Sequence, residues 1–365
     1  MADFHLKGFD EATIIKLDVF RGYIREWLSI FMTRPGYVTG DYKAELSIFD
    51  FFSGPGFDSN NNPGSPVIIA EEIRSYCESR EDFRAVVQVC LFFNDANSDH
   101  IESLKENIGS VACEKSCCKY LYSSKTFSKV FQKYLPMLKN TTSAKLVIMD
   151  QFGLKEVTPD ILKFLAECRK TDVLFFISSS FVKRFIETPE IGSKFNLDIA
   201  KVKNAEYNAI HQLVCSHFRD EINSDDYFLA PFSLKKGANI YGIIFGSSSL
   251  YGLEKFLQVC WKIDSQTGEA NYSIEKEKYW HGQQSLFPEE NSFKKIDLFK
   301  NELLEFLNKA QTNNETYRFT LLKGFPPSKA NEVLRDLQNN GKIETSTIPD
   351  SMPGRKGSFY LGHKH

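Results

Sequence analysis

The stretch IFDFFSGPG, residues 48–56, sets Asp50 at the end of an apolar run and just ahead of a Gly54-Pro55-Gly56 turn. In an open α/β sheet, ligands bind beyond the carboxyl ends of the strands. Glycines there let backbone approach a ligand closely. Pro55 lacks an N–H, which makes the loop a poor cradle for a pyrophosphate. No GxxxxGK[ST] sequence occurs either. A ligand without phosphates, such as S-adenosylmethionine, suits the turn better. The alternative is an ordinary buried strand followed by a tight turn.

Other chemistry-bearing residues fall at comparable places. Asn94 and Asp95 close the run QVCLFFND, where a carboxylate can accept both hydroxyls of a ribose. Asp50 could reach an ammonium, directly or through water, and Ser53, Gly54 and Gly56 complete the cofactor set. Asp150 closes the run KLVIMD and is followed by Gln151, Phe152 and Gly153. As the catalytic pair, Asp150 would accept a hydrogen bond or a proton from an acceptor group, and Phe152 would stack on a flat target. Against this stands the reading in which Asp50 and Asp150 cap helices and the glycines serve only the turn.

These residues need a scaffold that brings several strand ends together. Residues 10–34 carry apolar side chains at three- and four-residue steps, which predicts an amphipathic helix ended at Pro35-Gly36. A strand over 45–52 follows, then a helix from Ser65 as N-cap with Pro66 in its first turn. The alternation continues through a strand in RAVVQVCLFFND, a helix in SDHIESLKENIG stopped at Gly109, a third strand in KLVIMDQFG, a helix from Thr158-Pro159 and a fourth strand in TDVLFFISSS. Strand-helix alternation with continuous apolar strands predicts a parallel sheet covered on both faces: an α/β, doubly wound, Rossmann-like domain. The segment from 235 to 264 predicts one more strand, as an antiparallel edge, and an amphipathic helix. Lys183 and Arg184, past the fourth strand, either contact a phosphate or a partner or form a solvated helix start.

After residue 288 the pattern changes to helix, turn, helix near Ser328, a stop at Gly341 and two strands around a Pro- and Gly-bearing loop. This is the element order of a winged helix-turn-helix. The expected domains are 1–288 and 289–365. Residues 294–365 hold 12 basic and 8 acidic side chains, a net +4 that leaves −6 elsewhere in a chain of net charge −2. Such asymmetry favours phosphate contact at one end. Ser328, Lys329, Asn331 and Arg335 would present polar groups from a recognition helix, with Ala330, Val333, Leu334 and Leu337 packed inward. Arg355 and Lys356 would sit at a wing tip. Winged helices also dock proteins, which is the competing role.

Composition narrows the class further. At 365 residues, 42% hydrophobic and 25% charged, the chain is globular and long enough for two or three folded units. The amino terminus has no signal pattern and no run reaches membrane-spanning length, so a cytoplasmic location with reduced thiols is expected for the eight cysteines. The cluster CEKSCC, residues 113–118, matches no paired CxxC zinc set, and no metal is expected. His211 and Cys215 are read as packing residues. A nuclease would need clustered acidic metal ligands, and SDD at 224–226 has no partner motif.

Several quoted stretches together resemble the three-Cys-motif partner proteins of bacteria over most of residues 15–264. KLDVFRGYIREWL resembles their leading helix, IFDFFSGPG with the later GSPVIIA their strand, loop and GSP segment, and VIMDQFG their DPFG-like strand ending. IIFGSSSLYGLEKFLQVCWKID is similar to their late strand-helix segment, with Gly252, Lys255, Phe256, Trp261 and Asp264 in the pattern. The resemblance implies a methyltransferase-like core, a C-terminal winged helix and a separate partner of radical S-adenosylmethionine type bearing three cysteines. Asp50, Gly54, Gly56 and Asp150 fall on matching positions. Gln151 departs from the usual proline, which puts amino-methyl transfer in doubt. The Pro-Cys pair of cytosine-C5 methyltransferases is absent. Two functions result: an S-adenosylmethionine-binding, methyltransferase-like protein acting on or at nucleic acid, with phage defence suggested by the family's company, or a non-catalytic adaptor that recruits a partner enzyme.

Overall fold

A computed structural model of the chain describes residues 8–33, 44–79, 87–114, 118–150, 158–188, 197–206, 209–236, 239–271, 295–309, 311–345 and 360–363. The chain divides into two compact units, Met1–Lys255 and Phe256–His365.

The first unit opens with α1 (Glu11–Thr33), whose Leu17, Phe20, Ile24, Trp27 and Leu28 are all buried, as their helical spacing requires. The strands and helices then alternate: β1 (Ala44–Asp50), α2 (Ser65–Glu78), β2 (Val87–Asn94), α3 (Ser98–Val111), β3 (Cys118–Ser123), α4 (Phe127–Leu138), β4 (Ala144–Met149), α5 (Pro159–Glu167) and β5 (Thr171–Ile177). The described helices α6 (Ser179–Phe185), α7 (Ile199–Asn204) and α8 (Ile210–Ile222) precede the hairpin of β6 (Phe228–Lys236) and β7 (Asn239–Ser247). One seven-stranded sheet results, in the order β3-β2-β1-β4-β5-β7-β6. The first five strands are parallel, and β7 runs against both β5 and β6.

The order reverses at β1. The chain builds β2 and β3 on one side of it, then crosses back to build β4 and β5 on the other. Such a reversal opens a crevice at the carboxyl ends of the flanking strands. Register makes those ends level: Asp50 lies opposite Phe93 of β2 and Ile148 of β4. β4 is buried at every position, the mark of a central strand covered on both faces.

The α/β expectation holds, and four of its details are corrected. The sequence reading passes from α3 straight to β4 and omits the unit β3–α4. β3 alternates between half-buried and exposed positions, so it lacks the continuous apolar run of its neighbours. The strand read as third is therefore β4. The expected antiparallel edge is also not an edge, because β6 pairs along all of β7 and forms the border itself. Gly109 does not stop α3, which continues to Val111. Ser65 is not the N-cap of α2; Gly64 takes that position, and the Ser65 hydroxyl turns to Asp50.

The α1 helix is held from two sides. Arg21 and Arg25 pair with Glu72 of α2, and Arg21 also with Glu71. Tyr23 donates to the buried carboxylate of Asp172 in β5 at 2.8 Å, which also accepts from the Ser247 hydroxyl at 2.5 Å. Among the described residues, no helix is long and apolar enough to cross a membrane.

The helix α9 (Leu250–Ile263) leads into the second unit. There follow α10 (Lys295–Phe306), β8 (Gln311–Thr312), α11 (Asn313–Leu322), α12 (Pro327–Asn339), β9 (Ile343–Thr345) and β10 (Tyr360–His363). The three strands form an antiparallel sheet in the order β8-β10-β9. Among the described residues, three helices from Lys295 on precede the wing where the sequence pattern showed two. The added one, α11, begins with a reciprocal capping box between Thr312 and Glu315. An aromatic core joins the helices: Phe299 stacks on Phe325 at 4.0 Å and Phe306 on Phe319 at 4.3 Å. The Trp261 indole donates to the Gly324 carbonyl at 2.9 Å. This is a winged helix-turn-helix fold.

Gly56 combines a positive φ of 99° with tight surroundings; a Cβ there would lie 3.0 Å from Leu104 Cδ1 and 3.1 Å from Val67 Cγ2. Gly56→Ala is expected to destabilise the first unit by about 1–3 kcal/mol through backbone strain and crowding between α2 and α3. Urea unfolding checks this, and a variant as stable as the wild type would refute the packing described.

Candidate functional site

The loop beyond β1 is fastened at nearly every residue. The Asp50 carboxylate accepts from the Ser65 hydroxyl at 2.7 Å and from the Phe52 N–H at 3.2 Å. The Ser53 hydroxyl donates to the Asp50 carbonyl at 3.0 Å, and the Ser53 N–H to the Asn94 carbonyl at 2.9 Å. Gly54 adopts a positive φ of 62° and turns its N–H to the Asp95 carboxylate at 3.1 Å. The Asn107 amide donates to the Pro55 carbonyl at 2.8 Å, and the Gly64 N–H to the Gly56 carbonyl at 2.6 Å. Both glycines thus hold conformations that side-chain-bearing residues rarely adopt.

Phe51 and Phe52 turn aside from this loop. Phe51 lies in the core, 5.8 Å from the Phe49 ring and edge-on to Phe127 at 5.4 Å. Phe52 stacks on Phe127 at 5.3 Å. Their partner helix α4 is the element that the sequence reading lacked.

Three aspartates meet at the level strand ends. Asp50 is fully buried, and its carboxyl is pushed up to about 7. Burial is the main cause; the Ser65 and Phe52 hydrogen bonds oppose it, and the charges of Asp150 and Asp95 add to it. Asp95, at the end of β2, accepts from the Gly54 and Asn97 N–H groups and has His100 Nδ1 at 3.3 Å. Asp150, at the end of β4, pairs with Lys16 of α1, whose ammonium also sits over the Phe176 ring at 4.9 Å.

Of the expected cofactor residues, Asp50, Ser53, Gly54, Gly56 and Asp95 are therefore gathered in one place. Asn94 is there too, but in another capacity. Its amide donates to the carbonyls of Phe51 and Lys125, and its oxygen accepts from the Lys125 N–H. That buried side chain fastens the loop to the start of α4. Of the catalytic pair, Asp150 lies beside the cluster in its ion pair, and Phe152 lies outside the described residues. Lys16, Ser65 and His100 were not anticipated. Ser65 had a signal, its place at a helix start, that pointed to capping instead. Lys16 had none, since its partner is 134 residues away.

In the second unit, α12 exposes Ser328 and Arg335. Lys329 is half-buried and pairs with Glu332 at 3.0 Å. Asn331 is corrected: it is 4% exposed, on the inward face with Ala330, Val333, Leu334 and Leu337, because the helix turns that position toward the core. Arg355 and Lys356 lie outside the described residues. Lys183, in the first unit, donates to the Ala205 carbonyl. His211 is buried, and burial brings its imidazole down to about 4, in keeping with a packing role.

A family model described as GMT-like wHTH domain matches residues 275–348. No curated protein matches the chain. Among solved structures, Trm1 from Pyrococcus horikoshii in complex with S-adenosyl-L-methionine is 10% identical at a TM-score of 0.40, with 100% of this chain and 93% of that one covered. The O-methyltransferase TomG from Streptomyces achromogenes, in complex with SAM, is 11% identical at 0.31, covering 66% and 91%. A SAM-dependent methyltransferase from Agrobacterium tumefaciens is 12% identical at 0.36, covering 66% of this chain and 64% of its own.

The raised carboxyls give stability a definite pH dependence. Asp50 sits at about 7 and the buried Asp172, raised chiefly by desolvation, at about 6. Both hold protons more tightly in the folded than in the unfolded chain, where an aspartate titrates near 3.9. Their contribution to stability is therefore present at low pH and falls as pH rises from about 4 to 7. Asp50→Asn removes one share of that fall, so its stability relative to wild type improves steadily across the window. Urea unfolding at several pH values reads the difference; one that stays flat defeats the assignment.

Proposed function

We propose that the first unit binds S-adenosylmethionine at the carboxyl ends of β1, β2 and β4, and that the protein acts on or at nucleic acid contacted through its winged helix. The observation that carries this reading is the convergence of Asp50, Asp95 and Asp150 at three level strand ends beside the glycine turn. Three carboxylates in one place favour a cationic ligand, and S-adenosylmethionine bears a sulfonium and an ammonium. The donor set also fits the rest of the molecule. Asp95 accepts ribose hydroxyls in place of the Gly54 N–H. Asp50 contributes its field from beneath Ser65. Gly54 and Gly56 keep the loop free of side chains.

When bound, the cofactor supplies an electrophilic methyl group. The chain's own part in a transfer is positioning, with Asp150 holding the acceptor's proton and Phe152 stacking on a flat target. Ser328, Lys329, Arg335, Arg355 and Lys356 form the nucleic-acid set, supported by the basic excess of the C-terminal segment. The domain boundary near residue 288, the cytoplasmic location and the three-cysteine radical-enzyme partner belong to the same reading, the last supported by the sequence resemblance.

The Lys16–Asp150 ion pair favours a second reading, the adaptor. A carboxylate engaged by an ammonium is poorly placed to receive a proton from a substrate. In that case the pocket is retained for binding, and the winged helix brings a partner enzyme to nucleic acid.

Calorimetry with S-adenosylmethionine tests the shared premise. Affinity on the order of micromolar is expected, lost on Asp95→Ala and on Gly54→Val. Heat equal to buffer dilution in the folded wild type would sink both readings. Methyl transfer to DNA or RNA then separates them: binding without transfer selects the adaptor. For the second unit, Arg335→Ala combined with Arg355→Ala and Lys356→Ala should weaken nucleic-acid binding and flatten its salt dependence by about three counterions. Unchanged affinity at low salt counts against the interface.

A further inference from the structure

We propose that Cys77, Cys113 and Cys118 form a binding site for a thiophilic metal ion, with Zn2+ as the ion it takes. The three sulfurs all lie within 4.8 Å of one another. Each comes from a different element: Cys77 from the last turn of α2, Cys113 from the segment just past α3, and Cys118 from the first position of β3. A zinc–thiolate bond of about 2.3 Å in tetrahedral geometry places ligand sulfurs roughly 3.8 Å apart, so the cluster needs to contract by less than about 1 Å. An all-sulfur donor set with neither carboxylate nor imidazole selects zinc or another soft ion over magnesium or calcium.

The surroundings fit a bound ion better than simple packing. Cys77 and Cys113 are buried, which shields two ligands from solvent, whereas Cys118 is half-exposed and provides an entry path. The Cys113 N–H donates to the Tyr120 hydroxyl at 2.8 Å, and this fixes the backbone of one ligand against β3 before any ion arrives. Three thiols supply three of four tetrahedral positions, leaving one for water or a small exogenous thiol on the Cys118 side. Binding forms three metal–sulfur bonds and releases up to three thiol protons, with no change of oxidation state.

The ion's role would be structural. Among the described strands, β3 is the border on the side away from the hairpin and pairs with β2 alone. A metal joining Cys118 to α2 and α3 would fasten that border. The cluster was hidden in the sequence because Cys77 stands 36 residues before Cys113, so no paired spacing marks it.

The test uses the full chain, reduced and stripped with chelator. Zn2+ is titrated against a chromophoric competitor, and the thermal midpoint is followed in parallel. Uptake of a single zinc ion with a raised midpoint is expected. Cys77→Ser and Cys118→Ser should each weaken uptake by at least about tenfold, and Cys168→Ala, outside the cluster, should not. Should Cys77→Ser fail to fold, Co2+ added to the wild type decides: a thiolate-to-cobalt charge-transfer band lost in Cys118→Ser supports the site. Absence of zinc uptake, uptake unchanged in Cys118→Ser, or cobalt bound without that band would overturn it. So would recovery of two of the three cysteines joined in a disulfide that resists reduction.

Discussion

A carboxyl group removed from water at the end of β1 governs the geometry of the whole strand edge. Asp50 has no exposure, and the hydrogen bonds that satisfy it come from the loop and from the first residue of α2. A buried charge without such partners is unfavourable, so the loop must close over it and the helix must start where Ser65 can reach. Gly54 and Gly56 follow from that demand. The chain has to reverse within a few residues above Asp50, and positive φ angles allow it. Asn94 completes the arrangement from the β2 side, with three hydrogen bonds that fasten both the loop and the start of α4.

The same packing produces an electrostatic outcome that no single residue shows. Level strand ends bring Asp50, Asp95 and Asp150 within range of one another, and their mutual repulsion adds to the desolvation that raises Asp50. One carboxylate is relieved by Lys16 and another by backbone N–H groups, which leaves a local excess of negative charge in a chain segment of net −6. The C-terminal segment carries the opposite sign. The charge of the chain is thus divided unevenly along its length, negative through the sheet-forming part and positive toward the carboxyl end.

Much of this was legible in the amino-acid order, and the failures have physical causes. Buried parallel strands announce themselves as apolar runs, so β1, β2, β4 and β5 were found at once. β3 has solvent along one face and reads as a mixed polar stretch, so it escaped notice together with α4. Helix periodicity placed Ala330, Val333, Leu334 and Leu337 inward, as observed, but the same periodicity carries Asn331 inward with them, because it stands four residues after the buried Pro327 and three before Leu334. At the site, the strand-end aspartates were visible because an acid closing an apolar run is unusual. Lys16 and Cys77 were not, because each finds its partners only after the chain has folded back across many residues.

The anchoring of α1 has a kinetic corollary. Tyr23 is bonded into the core at Asp172, and Arg21 and Arg25 grip Glu72, so the helix bearing Lys16 is welded to the sheet rather than hinged upon it. Whatever uncovers Asp150 can then be no more than rotation about the bonds of one lysine side chain. An exposed side chain turns in picoseconds to nanoseconds, but Lys16 is buried and ion-paired, so it must first break its bond to Asp150. The rate at which the Asp150 carboxylate is uncovered is then set by the strength of one ion pair and not by any movement of the helix.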